Sequence, residues 1–377
     1  MQYTTYERGS VTVRYSTFGE GRSTHELHAV ATVADASRTF TEQLDSVAEA
    51  LTVFGSTPEA NGYRPIVARL LLSDAANQAE QALERFKDIF PLTTYIQQPP
   101  LNGTKIAVVA YYRTNAEVKR TDNHTIAIES NGLTHLLSAM LCGAAPRTYT
   151  ETTNQLDALE RTLKSHGGNI ADNCVRTWFF VQNIDVNYSE VVRARREYFN
   201  EHGLTEATHY IASTGIGGRH ADRAITSVLE AYSVVGLRRD QVKYLYASDH
   251  MNRTSDYGVT FERGTAVDYA DRRHIFVSGT ASIDNKGQVV CKRDIKGQIA
   301  RMIENVTELL NEAGATFANV AHCIVYLRDT ADYRTVNATL RHTLGNIPYV
   351  IVLAPVCRPE WLIEMECMAC VSKESKV

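Results

Sequence analysis

Cys357-Arg358-Pro359-Glu360-Trp361-Leu362-Ile363-Glu364-Met365-Glu366-Cys367-Met368-Ala369 sets two acids at strand spacing inside an otherwise apolar run. Ile363, Met365 and Cys367 alternate with Glu364 and Glu366, so a strand here carries both carboxylates on one face. Two readings stand. On an exposed face the acids are simply solvated. On a buried face a carboxyl holds its proton more tightly, unless a cation such as Arg358 keeps it ionised.

The same run ends a unit that the chain passes through three times. Each pass opens an amphipathic helix with Gln near its start and Gly past its end: Gln43 to Gly55, Gln155 to Gly167, Gln298 to Gly314. Met302, Ile303, Val306, Leu309 and Leu310 give the third helix one apolar stripe. A dense β run follows (65–72, 175–181, 323–328), then a second helix, then two strands. The last strands finish at Tyr111, Tyr232 and Ala369. The polar stretches 114–131 and 236–257 read as linkers. This gives units at 1–115, 130–235 and 261–377, with a linker at 236–260. A mixed sheet with two helices on one face satisfies the layer rule for each, so the expected fold is α+β, three units packed as an intrachain pseudo-trimer.

Bulk properties exclude several classes. The 377 residues suffice for two or three domains; the net charge is −4 and no basic block marks a nucleic-acid footprint. The first residues lack a signal-peptide core and no run of about 18 apolar residues occurs, so a cytoplasmic protein without membrane contact is expected. Seven cysteines are scattered, mostly in apolar runs, as reduced thiols are. Cys367 and Cys370 face opposite ways on a strand, and twelve histidines offer no ligand pair on one helix, so neither metal nor cofactor is expected.

The third pass resembles a unit of the RidA (YjgF/UK114, endoribonuclease L-PSP) superfamily, of chorismate mutase-like fold. The residues that carry this are Phe276-Val277-Ser278-Gly279, Gln298, Asn305, Leu309 to Gly314, Val325 to Asp329, Val336 to Thr339, and Ile363 to Glu366. Such proteins are usually homotrimers with ligand clefts between subunits. The imine deaminases among them hold the substrate carboxylate with an Arg soon after the proline preceding the last two strands, where this chain has Tyr349 after Pro348. A further resemblance is to the chorismatase branch, through Val277 to Ile283, Cys357 to Glu364, Arg176-Thr177-Trp178, Gln241 to Tyr244 and Thr260 to Arg263. It implies release of pyruvate from chorismate.

Aligned on Ala110, Ala231 and Ala369, the last strands place Glu364 opposite Lys105 and Thr226, so one cleft alone would carry the acid. The resemblance makes Glu364 the proton donor, with Arg358 nearby. Substrate carboxylates call for forked donors, for which Arg176, Arg328 and Arg334 are candidates, although each also fits an ordinary surface ion pair. Cys357, Thr280, Ser282 and Tyr244 are candidates to border the pocket or simply to pack. Thr214 to Gly218 lacks the context of a nucleotide loop and reads as a turn between strands, with Gly217 near the ligand. Three functions compete: a chorismatase-like hydrolase, a RidA-type enamine or imine deaminase, and a non-catalytic binder of small carboxylates, as a monomer or homodimer.

Overall fold

The computed structural model describes residues 1–19 and 24–373 and builds one six-stranded mixed sheet from each repeat. Unit one comprises β1 (Gln2–Arg8), β2 (Val11–Phe18), β3 (Glu26–Val33), α1 (Phe40–Phe54), β4 (Arg64–Leu72), α2 (Ala75–Phe86), β5 (Leu92–Gln97) and β6 (Ile106–Arg113). Unit two comprises β7 (Val118–Arg120), β8 (Thr125–Ser130), β9 (Leu133–Leu141), α3 (Thr148–Ser165), the short α4 (Ile170–Asn173), β10 (Cys174–Val181), α5 (Ile184–Glu201), β11 (Ala212–Gly217) and β12 (Ser227–Val235). Unit three comprises β13 (Val242–Leu245), β14 (Gly264–Asp268), β15 (Arg272–Ala281), α6 (Ile295–Glu312), β16 (Val320–Leu327), α7 (Tyr333–Leu344), β17 (Tyr349–Leu353) and β18 (Ile363–Ser372).

The three sheets share one strand order, β1-β2-β3-β6-β4-β5 and its counterparts. Only the fourth and fifth strands of each unit pair in parallel, and the second long helix makes the crossover between them. Each fourth strand shifts register at the same place, between Pro65 and Val67, Cys174 and Arg176, and Val320 and His322. The fold is α+β, a module used three times, as expected. The stretches 114–131 and 236–260 are not bare linkers, because they carry β7, β8 and β13. Val118–Arg120 and Val242–Leu245 lie at sheet edges, where only one neighbour needs pairing and polar side chains remain in water. The expected first and third units include Glu20 to Ser23 and residues 374–377, which lie outside the described residues.

The repeated glutamine has a physical role. Gln43, Gln155 and Gln298 are buried, and each hydrogen-bonds the backbone where the last strand of its unit begins. Gln43 accepts from Lys105 N at 2.8 Å, Gln155 donates to Ser227 O at 2.7 Å, and Gln298 accepts from Leu362 N at 2.9 Å. A buried amide that satisfies an end-of-strand backbone group fixes that strand against its covering helix. In unit three it fixes the chain two residues before Glu364.

Backbone hydrogen bonds close the units into a ring. Gln97 N reaches Arg219 O at 3.0 Å, Gly217 N reaches Pro355 O at 2.9 Å, and Leu353 N reaches Pro99 O at 2.8 Å. Apolar side chains fill the seams. Ile66, Leu92, Ile126 and Ile128 pack between units one and two, and Val175, Val234, Phe276 and Met368 between two and three.

Candidate active site

The structure corrects the alignment of the last strands. Leu72, Val181 and Leu327 are equivalent, each opposite Gln97, Gly217 or Leu353 on the parallel side, and their antiparallel partners are Ile106, Ser227 and Ile363. Glu364 therefore corresponds to Ala107 and Val228, not Lys105 and Thr226, and Glu366 corresponds to Val109 and Glu230. Anchoring on Ala369 slipped the strand by two residues. A slip of two preserves which face each side chain occupies, so periodicity cannot detect it. At its true position Glu364 still has no acidic counterpart.

Glu364 and Glu366 do share a face, and both are buried, at 4% and 5% exposure. Their surroundings differ. Glu366 is saturated: Arg176 donates at 2.9 Å, Trp178 Nε1 at 2.8 Å and Thr214 Oγ1 at 2.6 Å. Thr214 in turn accepts from Gly279 N at 2.9 Å, so one hydroxyl ties β11 to β15. Glu364 has no ion pair within 4.0 Å among the described residues. Burial, reinforced by the neighbouring Glu366, pushes its carboxyl up to about 8, against the opposing pull of Arg176 and Arg263. At neutral pH Glu364 carries a proton.

Its carboxyl borders a cleft of about 420 Å³ between units two and three. Gly279 makes the space, because a Cβ there would collide with Glu364 Oε1. Gly215 does the same opposite, where a Cβ would lie 2.6 Å from the Tyr188 ring. Cations surround the cleft: Arg193, Arg195 and Arg196 from α5, Arg263 before β14, and Arg358 before β18. Arg195 is 1% exposed and sits on the apolar stripe of α5 with Val191, Ala194, Tyr198 and Phe199. It donates to Thr260 Oγ1 at 3.2 Å and Ser213 Oγ at 3.4 Å, and its Nη2 has no partner. A buried guanidinium with an unused donor suits an anion, and a carboxylate fits its fork. Arg263 is braced on Asn252 O at 3.1 Å, and Arg358 stacks on Trp361 at 4.8 Å.

Of the residues singled out from sequence, Glu364, Arg358 and Cys357 line this cleft. Burial raises the Cys357 thiol to about 12, so it packs as a neutral group. Arg176 lies behind the cleft on Glu366. Arg328 is committed to Asp185 through two contacts, at 2.9 and 2.8 Å. Arg334 is exposed on α7, away from the cleft lining. Thr280 Oγ1 is turned to Ser278 O at 2.8 Å, and Ser282 Oγ to Val290 O at 2.7 Å. Ser282 O instead holds Trp361 Nε1 at 3.1 Å. Tyr244 stacks on His209 at 4.4 Å. The Thr214 to Gly218 stretch is not a turn, since residues 212–217 form β11, paired along β10. Gly217 is there for close approach: a Cβ would meet Pro355, whose oxygen takes its N–H, leaving no amide for a ligand. Arg195 and Tyr188 were not singled out, and Arg263 and Gly279 were named only within stretches that carry the family resemblances, not as site residues. Arg195 had a legible signal, a cation on an apolar helical stripe.

Fold and cleft together define a pseudo-trimer of one repeated α+β module with an acid at a single seam. Residues 265–371 match the family model described as Endoribonuclease L-PSP. A RutC family protein of Pyrococcus abyssi is 38% identical over 97 residues, covering 25% of this chain and 76% of the relative. One of Pyrococcus horikoshii is 32% identical over 97 residues, covering 25% and 77%. The chain belongs to the RidA superfamily, which includes these RutC and L-PSP proteins. Over most of its length it shares the fold of a chorismatase crystal structure, at 17% identity and a TM-score of 0.64, covering 83% of this chain and 95% of that one.

Proposed function

We propose that the protein is a chorismatase-like hydrolase that releases pyruvate from chorismate or a related enolpyruvyl ether, leaving a dihydrodiol product, which becomes a hydroxybenzoate on loss of water. Glu364 gives its proton to the methylene carbon of the enol ether, and the ether-bearing carbon becomes cationic. Water adds to that carbon, and its proton returns to Glu364. The hemiketal then collapses to pyruvate and the ring alcohol. Arg195, Arg263 and Arg358 hold the substrate carboxylates, and no cofactor enters. The observation that carries this reading is a protonated, sheltered carboxyl in a cleft ringed by guanidinium groups. The deaminase alternative has the family relation behind it, but Tyr349 occupies the place of its Arg.

We propose further that the chain works as a monomer, each seam replacing a subunit interface. Val186 is the only large apolar side chain exposed among the described residues, and no helix there is long and apolar enough to cross a membrane.

Incubation with chorismate, coupled to lactate dehydrogenase, is expected to yield one pyruvate per substrate consumed. The rate should hold through neutral pH and fall as pH rises through about 8, where Glu364 loses its proton. Release no faster than from a Glu364→Gln control would refute the reading. A rate that rises through that pH range would refute the role of Glu364 as acid.

A further inference from the structure

The ring axis encloses a second cavity, of about 160 Å³, which the chemistry above does not use. It forms where the inner faces of the three sheets converge. Its wall is largely apolar, with Val109, Ile128, Leu137, Ala139, Phe276 and Met368. Three guanidinium groups also border it, those of Arg69, Arg113 and Arg176.

Two of these are matched. Arg69 donates to Glu230 at 3.0 Å, and Arg176 pairs with Glu366 at 2.9 Å. The neighbouring Arg272 is matched as well, with Glu26 and Asp271 both at 2.8 Å. Arg113 is different. It is 2% exposed, donates to Ser130 Oγ at 2.6 Å, and leaves its Nε without a partner. Among the described residues no carboxylate lies within 4.0 Å of it. A guanidinium taken out of water with one neutral partner is costly, which an anion beside it would offset.

Two carboxylates, Glu230 and Glu366, border the chamber too, and each is held by one of the matched cations, Arg69 and Arg176. Burial holds His135 down to about 3 and lowers His274 and His322, so these imidazoles are neutral. His322 Nδ1 is buried without a hydrogen-bond partner, and His28 Nε2 lies 3.8 Å from Glu26 Oε2. Ser130 and His135 line an outer cleft of about 650 Å³, His135 borders both spaces, and Ser130 is the partner of Arg113.

We propose that this axial chamber is a second ligand site, which takes a compact monocarboxylate with an apolar body, about the size of benzoate, with its carboxylate on Arg113. One unmatched cation in an apolar chamber selects a single negative charge on an apolar frame. The proposal does not rest on the hydrolase reading, since Arg113 and Glu364 border different cavities.

Titration of the full chain with 4-fluorobenzoate, followed by fluorine NMR, is expected to reveal a bound resonance. It should survive Glu364→Gln and weaken more than about tenfold in Arg113→Met. Ala139→Ile, which fills the chamber without changing a charge, should remove it too, and this variant decides the matter if Arg113→Met does not fold. No binding at ~10 mM probe, or binding retained in either chamber variant, would overturn the proposal.

Discussion

Glu364→Gln is expected to lower pyruvate release from chorismate by ~10²–10⁴-fold, the usual worth of a positioned general acid. The amide keeps the shape of the side chain over Gly279 but has no proton of suitable acidity to give. Substrate binding should change little, because the guanidinium groups of Arg195, Arg263 and Arg358 remain in place. The same substitution should make the fold more stable at higher pH. A carboxyl whose pKa rises from 4.5 in the unfolded chain to about 8 in the folded one favours folding below about 4.5, and that support is lost as pH climbs to about 8. Every tenfold difference in proton affinity between the two states is worth about 1.4 kcal/mol. Urea midpoints of the two proteins should therefore coincide near pH 4 and separate near pH 8, with the Gln variant the more stable. Full activity in the variant, or a less stable variant near pH 8, would contradict this account of the site.

Arg176→Met is expected to destabilise the protein by about 3–5 kcal/mol, the cost of leaving a buried carboxylate without its cation. Arg176 is 2% exposed and faces Glu366 at 2.9 Å. Trp178, Thr214 and Arg69, the last at 4.0 Å, soften the loss without replacing the charge. Adding Glu366→Gln should restore much of the stability, because the pair is then absent from both sides. Denaturant unfolding of the single and double variants measures the coupling. Equal destabilisation of both would mean that the pair is not the source.

The triple repeat was legible because its signals are local: helical stripes, β-rich runs and a recurrent Gln whose backbone contact recurs with it. The three leading strands of each unit were harder to read. β7 and β13 are short, polar and at edges, so composition marks them as linker. The Glu364–Glu366 face was legible from alternation alone, but their partners were not. Arg358 looked like the nearest cation, whereas Glu366 is neutralised by Arg176 from another unit, 190 positions away in sequence. Glycines were ambiguous for a similar reason. Thr214 to Gly218 looks like a turn, yet its glycines exist because Tyr188 and Pro355 press against a strand. Contacts across seams are set by how the units pack, and no window of sequence contains them.

The most direct test is the protonation state of Glu364 itself. Infrared difference spectra between the wild-type protein and Glu364→Gln, recorded across a pH titration, isolate the C=O stretch of this one carboxyl. A protonated band present at pH 7 and lost with a midpoint near 8 is the expected result. A carboxyl already ionised near pH 5 would leave the cleft without its acid.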